Sequence, residues 1–533
     1  MDIWSWMCNL PNSENWPESD LPLVYELASL KDGRGNISKS IQVKAERALG
    51  SNTETQVAFS VCLNGFVDSN PSKTLWVSHS CSLSNNNQNN AFFLCPLLVQ
   101  LVQEIVTRAP TAHGNTYISP YNVLKIKPEP ISHLLNEMNF YSPKSFSNFF
   151  NLVFLIRLFW LCVSDAPAEV GSLYFKTLIA PNLHTLLSCK QVVQIFLVSI
   201  GADVELGFMR TLGYMLAKWL ILRDVSLGLQ LLITPTPSYG FSYATEAHGL
   251  WILKGYAPVL SMTRTCFNGQ DERHTILEAK ESVLRYALAH QQLEVVVQLA
   301  YTLGFYEGRI RVNVHVDNVR INVVKLGFNK NDIGEYVKER HFPSRIQLWV
   351  GPELGANYVT SLSLGRSTDN PQREVETHKI VKGKFGKSKV PLVKATARTS
   401  TRTKTRNWRF DQDSEGNTAI IDAILCDNTT GNEVATWKPS SNGDGGLKNA
   451  LQRRYSGGGR AFNKSGSLVF AGDEFREGFG WRLSKEMEGS VLKWRLGGKI
   501  WLSYWPNDVK SPYFETRCVD WCEEVDLPLI RVN

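Results

Sequence analysis

The sequence predicts an α+β fold, in which a buried helical layer packs with a mainly antiparallel C-terminal β-sheet or sandwich and a small N-terminal β region. Short β-prone runs fill the start of the chain, helical periodicity dominates its centre, and the apolar period drops to two after Gly304. We therefore divide the chain into an N-terminal β region at 1–90, a helical region at 91–304 and an antiparallel β domain at 305–533. If the N-terminal strands complete the C-terminal sheet, the chain is instead one large domain.

Composition is that of an ordinary globular protein, because 43% of its 533 residues are hydrophobic and 20% are charged. The N-terminus carries Asp2 where a signal peptide needs positive charge, and prolines interrupt the apolar run that such a peptide requires. The 10 cysteines are scattered, mostly inside apolar runs, which favours buried free thiols in a reducing compartment. We expect an intracellular protein, cytoplasmic or nuclear, with peripheral membrane association left open.

Along the chain, the predicted strands of the N-terminal region come first and the predicted helices follow. The four β-prone runs of the N-terminal region are 21–28, 41–48, 55–63 and 74–80. The main helical patterns are 92–108, 130–138, 145–163, 168–187, 190–200, 204–222 and 274–303. The most apolar stretch, Phe149 to Val163, is shorter than the roughly 20 residues of a membrane span and carries Arg157 at its middle. We interpret it as a buried helix whose arginine needs a partner, and keep a membrane anchor as the alternative.

The C-terminal region alternates between apolar and polar residues. From Ile310 to Val316 every second residue is apolar, Asp317-Asn318 provides a turn signal, and the alternation resumes from Val319 to Val323. This pattern predicts a hairpin with one dry face. Further strands follow, and they include a basic strand at 390–409.

Positive charge is concentrated in one segment, between Arg366 and Arg409. Thirteen Lys or Arg residues minus three acidic residues give that segment +10, and because the whole chain carries +7 the remainder sums to −3. A local excess of this kind holds phosphates, anionic head groups or acidic protein surfaces.

Within this segment the run KATARTSTRTKTR, from Lys394 to Arg406, places its cations at every second position, and therefore on one face of a strand. A solvated edge strand guarded against aggregation explains the same pattern. The alternative is a site for an anionic partner, which is an anionic membrane, nucleic acid or an acidic protein. No small-molecule substrate is inferred from the sequence. The predicted anion-binding residues are Lys379, Lys382, Lys384, Lys387, Lys389, Lys394, Arg398, Arg402, Lys404 and Arg406.

Other candidate residues carry weaker signals. Cys518 and Cys522 lack the two further ligands that zinc needs, so we expect structural thiols and no metal. Glu246 with His248, and His290 near Glu294, are potential acid–base pairs. They are accompanied by no nucleophile elbow, phosphate loop or dinucleotide fingerprint. We predict no cofactor and no catalytic residue, and an enzyme with a site between the helical layer and the sheet remains an alternative.

Several long runs of the chain are similar to one known family. They are KERHFPSRIQLWVGPELGANYVTSLSLGRSTDNPQREVE from Lys338, NEVATWKPSS from Asn432, SKEMEGSVLKWRLGGKIWLSYWPN from Ser484 and YFETRCVDWCEEVDLPLI from Tyr513. Together with FFNLVFLIRLFWLCV and FMRTLGYMLAKWLILRD, they resemble a family of uncharacterised land-plant proteins. The resemblance implies a plant source and an intracellular setting, and it assigns no reaction, fold or site residue.

Overall fold

The chain forms two compact units in the computed structural model. Unit 1 comprises 1–237, 258–292 and 325–332, and unit 2 comprises 238–257, 293–324 and 333–533. The residues that the structure describes are 2–11, 16, 21–31, 33–48, 55–66, 72–83, 94–112, 143–187, 189–227, 240–259, 291–328, 340–365, 373–385, 393–405, 408–426, 433, 467–471, 478–505 and 517–531. The predicted α+β class is confirmed.

Unit 1 begins with a short helix and an antiparallel sheet. The sheet has the order β1-β2-β3-β4, with β5 also pairing with β3, so the described N-terminal strands pair among themselves. Its inner face is apolar and includes Val43, Val57 and Phe59, all fully buried. The elements are α1 (Ile3–Cys8), β1 (Leu23–Lys31), β2 (Ile37–Ala48), β3 (Thr55–Asn64), β4 (Ser72–Val77) and β5 (Cys81–Leu83).

Helices make up most of the remainder of unit 1. The predicted helix at 130–138 lies outside the described residues. The helix at 190–200 is confirmed with its predicted bounds, and those at 92–108, 145–163, 168–187 and 204–222 are confirmed with shifted ends. The elements are α2 (Cys95–Thr107), β6 (Thr111–Ala112), α3 (Pro143–Phe159), α4 (Ala168–Leu173), α5 (Ala180–Leu187), α6 (Lys190–Ile200) and α7 (Ala202–Leu227). Two π-helical segments, Trp160–Ser164 and Tyr174–Ile179, continue α3 and α4.

The apolar helix α3 and its π-helical extension lie inside unit 1. This is the one stretch of the described chain that is long and apolar enough to cross a membrane, and 94% of its most apolar window is buried within the protein. Arg157 is 5% exposed, and its Nε donates to Oε2 of Glu104 at 2.5 Å. Glu104 also accepts from Trp76 Nε1 at 2.9 Å. The predicted buried arginine therefore has the ionic partner that it requires.

A second buried cation of unit 1 lies among aromatic rings. The rings of Trp160 and Tyr214 stack with centroids 5.8 Å apart, and Phe328 contacts both rings edge-on. Nζ of Lys218 lies 5.4 Å from the centre of the Tyr214 ring. Burial lowers the pKa of Lys218 to about 8, because the charged ammonium loses its hydration.

Unit 2 contains two antiparallel sheets that face each other. The first has the order β12-β18-β10-β9-β8-β7, with β17 pairing with another part of β10. The second has the order β15-β16-β11-β19-β20. The strands are β7 (Phe241–Ala247), β8 (Leu250–Val259), β9 (Gln291–Tyr306), β10 (Arg309–Gly327), β11 (Arg340–Pro352), β12 (Val359–Leu364), β15 (Trp408–Glu415), β16 (Thr418–Leu425), β17 (Ser467–Ala471), β18 (Gly478–Ser484), β19 (Val491–Trp505) and β20 (Arg517–Pro528).

Three tryptophans form the centre of this sandwich. Trp251, Trp481 and Trp494 are each fully buried. Trp494 of the second sheet stacks on Trp251 at 5.9 Å and meets Trp481 edge-on at 5.4 Å, and both of these partners lie in the first sheet. Large aromatic side chains therefore fill the space between the sheets.

Outside the basic segment, two secondary-structure predictions are wrong. The helix predicted at 274–303 is strand β9 from Gln291 onward, and β7 and β8 also lie inside the region predicted as helical; the part before Gln291 is outside the described residues. In β9 every second residue from Leu293 to Leu299 is buried, which is the period of a strand. Valine is frequent in this segment, and β-branched residues favour strands over helices. The predicted turn at Asp317-Asn318 is also absent, because β10 runs straight through it. In β10 the buried residues have even numbers up to Val316 and odd numbers from Val319 to Val323.

Candidate anion-binding hairpin

The basic segment forms a long hairpin, made of β13 (Arg373–Phe385) and β14 (Val393–Thr405). Within the described chain these two strands form a two-stranded sheet of their own. Their antiparallel register runs unbroken from Arg373 opposite Thr405 to Phe385 opposite Val393. Strands of 13 residues are about 44 Å long at the usual rise.

The unbroken register divides the hairpin residues into two faces, because residues at paired positions lie on the same face. The even face comprises Glu374, Glu376, His378, Ile380, Lys382, Lys384, Lys394, Thr396, Arg398, Ser400, Arg402 and Lys404. The odd face comprises Arg373, Val375, Thr377, Lys379, Val381, Gly383, Phe385, Val393, Ala395, Ala397, Thr399, Thr401, Thr403 and Thr405. Six cations against two carboxylates leave the even face with a formal charge of +4.

The two carboxylates of the even face lie at one end of it. Glu374 is opposite Lys404 and Glu376 is opposite Arg402, so the chain itself supplies counter-charges for two of the predicted anion-binding residues. Four cations lie toward the closed end of the hairpin, which we name the tip cluster: Lys382, Lys384, Lys394 and Arg398. The sequence contains no Asp or Glu between Glu376 and Asp411. Within the described hairpin, no carboxylate therefore lies opposite or diagonal to a residue of the tip cluster.

The pairings within the tip cluster oppose hairpin formation. Lys384 is directly opposite Lys394, and Lys382, opposite Thr396, has Lys394 and Arg398 at its two diagonal positions. Like charges at facing positions of an antiparallel pair destabilise it, since the two Cβ atoms lie only about 5 Å apart. A bound anion would remove that repulsion.

Neither face of the hairpin is covered at its middle. The neighbours Ile380 and Val381 lie on opposite faces, and they are 53% and 67% exposed. Thr396, Thr399 and Ser400 of β14 are exposed as well. An interior strand pair would bury at least one of two adjacent apolar residues, so the hairpin is solvated on both sides at this level.

Another strand pair of the same unit shows the opposite arrangement of charge. In β19–β20 the cations Lys493, Arg495 and Lys499 lie opposite Asp526, Glu524 and Asp520. Lys493 Nζ donates to Asp526 Oδ1 at 2.5 Å. Likewise, Arg345 Nε donates to Asp422 Oδ1 at 3.0 Å across β11 and β16. Cations are therefore compensated across these strand pairs, although Arg311 of β10 lies opposite Arg482 of β18, and the tip cluster has no facing carboxylate.

Several predicted site residues lie elsewhere. Lys387, Lys389 and Arg406 are outside the described residues, and Lys379 is on the odd face. The predicted continuous strand 390–409 is wrong, because β14 ends at Thr405 and β15 begins at Trp408 in another sheet. Arg409 of β15 contacts Asp411 at 3.0 Å and Glu433 at 3.2 Å. Arg409 is therefore neutralised by the chain itself.

The candidate acid–base residues have structural explanations. His248 and Gly249 form the turn between β7 and β8, with φ values of 52° and 82°. Glu246 is exposed, and it accepts from Tyr301 Oη at 2.9 Å and from the Gly249 amide at 3.2 Å. His290 lies outside the described residues. Glu246 and His248 therefore serve a hairpin turn.

In the part of unit 2 that the structure describes, neither the thiols nor the interior provides a second site. Cys518 and Cys522 are both exposed, unlike most of the other described cysteines, which are buried. Desolvation and the nearby Asp520 raise the pKa of Cys518, so its thiol is protonated at neutral pH. In the described ranges, no three His, Cys, Asp or Glu residues are grouped to hold a metal. The apolar cavity between the sheets, beside Leu253, Leu348 and Leu496, has about 10 Å³, room for about one water.

Sequence reasoning missed two features of the hairpin, namely the carboxylates opposite Arg402 and Lys404 and the division of β13 between two faces. Both depend on cross-strand register, which the sequence does not contain. A partial signal was present in VKGKF, from Val381 to Phe385, where cations alternate with uncharged residues.

Comparisons with known proteins assign no family. No family model matches the chain, and no curated protein matches it. Among solved structures, the NetB toxin of Clostridium perfringens in the membrane-inserted form matches at 6% identity and a TM-score of 0.18, over 54% of this chain and 94% of that one. The delta-toxin of Clostridium perfringens matches at 9% identity and a TM-score of 0.22, over 54% and 96%. A third structure, described as a pore forming protein, matches at 8% identity and a TM-score of 0.17, over 54% and 89%. TM-scores this low carry no argument about fold or function, and the chain is similar to these proteins only in this very weak sense.

Proposed function

We propose that this is an intracellular, non-catalytic binding or scaffold protein that holds an anionic partner at the tip cluster of the β13–β14 hairpin. The observation that carries the proposal is the placement of Lys382, Lys384, Lys394 and Arg398 on one face, with no carboxylate between Glu376 and Asp411. Coulomb attraction to an external anion supplies the counter-charge that the described hairpin does not provide there.

The geometry suits a partner with several negative charges. Facing Cα positions across the strands lie about 5 Å apart, and positions two apart along a strand lie about 7 Å apart. The cluster occupies the pairs from Ile380 opposite Arg398 to Lys384 opposite Lys394, which is about 14 Å of hairpin. A single carboxylate would satisfy one cation, whereas a surface or chain of phosphates meets all four.

The experiment compares two full-length variants that lose the same charge. The first replaces the tip cluster: Lys382→Gln, Lys384→Gln, Lys394→Gln and Arg398→Gln. The control replaces four exposed cations of unit 2 that lie outside the hairpin: Arg309→Gln, Arg311→Gln, Arg320→Gln and Lys493→Gln. Both variants fall from +7 to +3, so a general effect of net charge acts on both equally.

Binding is measured to phosphatidylserine-containing vesicles and to a labelled single-stranded oligonucleotide, at 50 to 300 mM salt. A cation near an anionic surface contributes about 1 kcal/mol, so loss of four cations should weaken binding roughly 1000-fold. The control should bind like the wild type. Salt-insensitive binding, equal weakening of both variants, or no binding to either probe would refute the proposal.

A further inference from the structure

The odd face of the hairpin tip is uncharged, and this property helps to distinguish between the possible anionic partners. Beyond Lys379, the odd-face positions toward the closed end are Val381, Gly383, Phe385, Val393, Ala395 and Ala397. They lie back to back with the tip cluster, so the same six pairs of the hairpin, about 17 Å long, are cationic on one side and apolar on the other. Val381, described within that odd face, is 67% exposed.

We infer that the anionic partner is the surface of a lipid bilayer that contains anionic lipids, an inference that rests on the proposed function of the tip cluster. An apolar face and a basic face on one solvated element is the combination that binds at a membrane interface. The apolar face enters the boundary between head groups and acyl chains by about 5–10 Å, and the long Lys and Arg side chains keep their charges at the level of the phosphates.

The charge pattern favours this partner over a nucleic acid or an acidic protein. Either of those would satisfy the even face and make no use of the apolar odd face, of which Val381 is 67% exposed. Of the odd-face tip residues only Phe385 is aromatic, which is one stacking surface, whereas single-strand binding sites use successive aromatic side chains. A bilayer surface uses both faces at once, because it offers anionic head groups and hydrocarbon within the thickness of one strand pair.

The test uses the full-length protein and a variant of the odd face, Val381→Thr, Phe385→Ser and Val393→Thr, which leaves every charge in place. We expect this variant to bind vesicles of phosphatidylcholine with 25% phosphatidylserine roughly 30-fold more weakly than the wild type. Its affinity for the oligonucleotide should be unchanged. The control is Leu354→Thr with Val491→Thr, two exposed apolar residues of unit 2 outside the hairpin, which should bind vesicles like the wild type.

The outcomes separate this inference from the proposed function. If the tip-cluster variant loses vesicle binding but the odd-face variant keeps it, the anion site stands and the bilayer inference is overturned. A wild type that binds the oligonucleotide more tightly than the vesicles at equal salt also overturns it. If no anionic probe binds, the proposed function fails first.

A single variant keeps the test decisive if the triple variant is poorly folded. Val381→Thr alone retains a β-branched side chain at a solvated position, so the fold should tolerate it. We expect roughly threefold weaker vesicle binding from this change and no change toward the oligonucleotide. Equal affinity for vesicles of phosphatidylcholine alone and of the anionic mixture would contradict the role of the head-group charge.

Discussion

The ion pair between Glu104 and Arg157 offers the sharpest test of the helical core. Glu104→Gln removes the charge but preserves the size of the side chain, and its single amide oxygen can still accept from Trp76. The bond that Glu104 Oε1 accepts from Gln100 Nε2 at 2.8 Å is lost in both the single and the double variant. Arg157 is 5% exposed, so the change leaves an uncompensated guanidinium in the protein interior. Breaking a buried pair in this way destabilises a protein by about 3–5 kcal/mol.

The loss of stability that we expect from Glu104→Gln falls at the low end of that range. The Glu104 side chain is 28% exposed, so solvent screens part of the interaction. The amide oxygen of the variant still accepts from Arg157 Nε, as the carboxylate does now. Burial lowers the pKa of Arg157 and Glu104 opposes that shift, but the group remains charged at neutral pH either way. We therefore expect a loss of about 3 kcal/mol.

A double-mutant cycle with Arg157→Met isolates the pair. Arg157→Met together with Glu104→Gln should cost about 1–2 kcal/mol, much less than the sum of the two single variants, since the double variant buries no lone charge. The assay is native-state hydrogen exchange of the α3 amides, because two units need not unfold together. The exposed pair Lys39–Glu169 serves as the control, and Lys39→Gln should cost below about 1 kcal/mol. Additive effects of Glu104→Gln and Arg157→Met would refute this account of the core.

Further predictions concern the remaining features. The pKa of Lys218 is lowered from 10.5 to about 8. Between those values the unfolded chain binds more protons, so this residue makes stability rise from pH 8 to pH 10, by up to about 3 kcal/mol. The free energy of unfolding of Lys218→Met, measured by chemical denaturation, should not show that rise. A pH profile of stability identical to that of the wild type would contradict this prediction. Gly497→Ala would place Cβ 2.3 Å from the Trp349 ring and should cost at least about 1–3 kcal/mol in thermal unfolding. Gly33→Ala, which meets no atom within 4 Å, should be nearly neutral. Glu374→Gln with Glu376→Gln should strengthen vesicle binding by roughly tenfold at low salt, because Lys404 and Arg402 lose their facing carboxylates. Weaker binding by that variant would contradict the charge argument.

The sequence predicted the class of fold because local periodicity reports it directly. Helix α6 has the predicted bounds, Lys190–Ile200, since its apolar spacing fits only a helix. Strand β9 was misassigned because Val295 and Leu299 fit a period of four as well as a period of two, and tertiary pairing decides between them. In β10, Asp317 and Asn318 have the composition of a turn, but the pairing of Asn318–Asn322 with β17 keeps the backbone extended.

The sequence predicts the excess of positive charge in the candidate site, but it does not predict which residues share each face of the hairpin. The alternation from Lys394 to Lys404 identified which residues share a face of β14. Which residues of β13 face them depends on the loop length and the register, and so do the two carboxylates that divide the even face into a neutralised half and a cationic half. Register is a property of paired strands, so no property of either strand alone reveals it.

Because β13 and β14 pair with no other strand of the described chain, the stability of this hairpin is linked to what it binds. Lone two-stranded hairpins are only marginally stable in water, and repulsion between Lys384 and Lys394 lowers that stability further. A ligand that screens the repulsion binds the formed hairpin better than the opened one and so raises its population. Amide protection in β13 and β14 should then increase with ligand concentration, while the sandwich strands of unit 2 report no change. The hairpin would act as a local sensor whose folding is the signal.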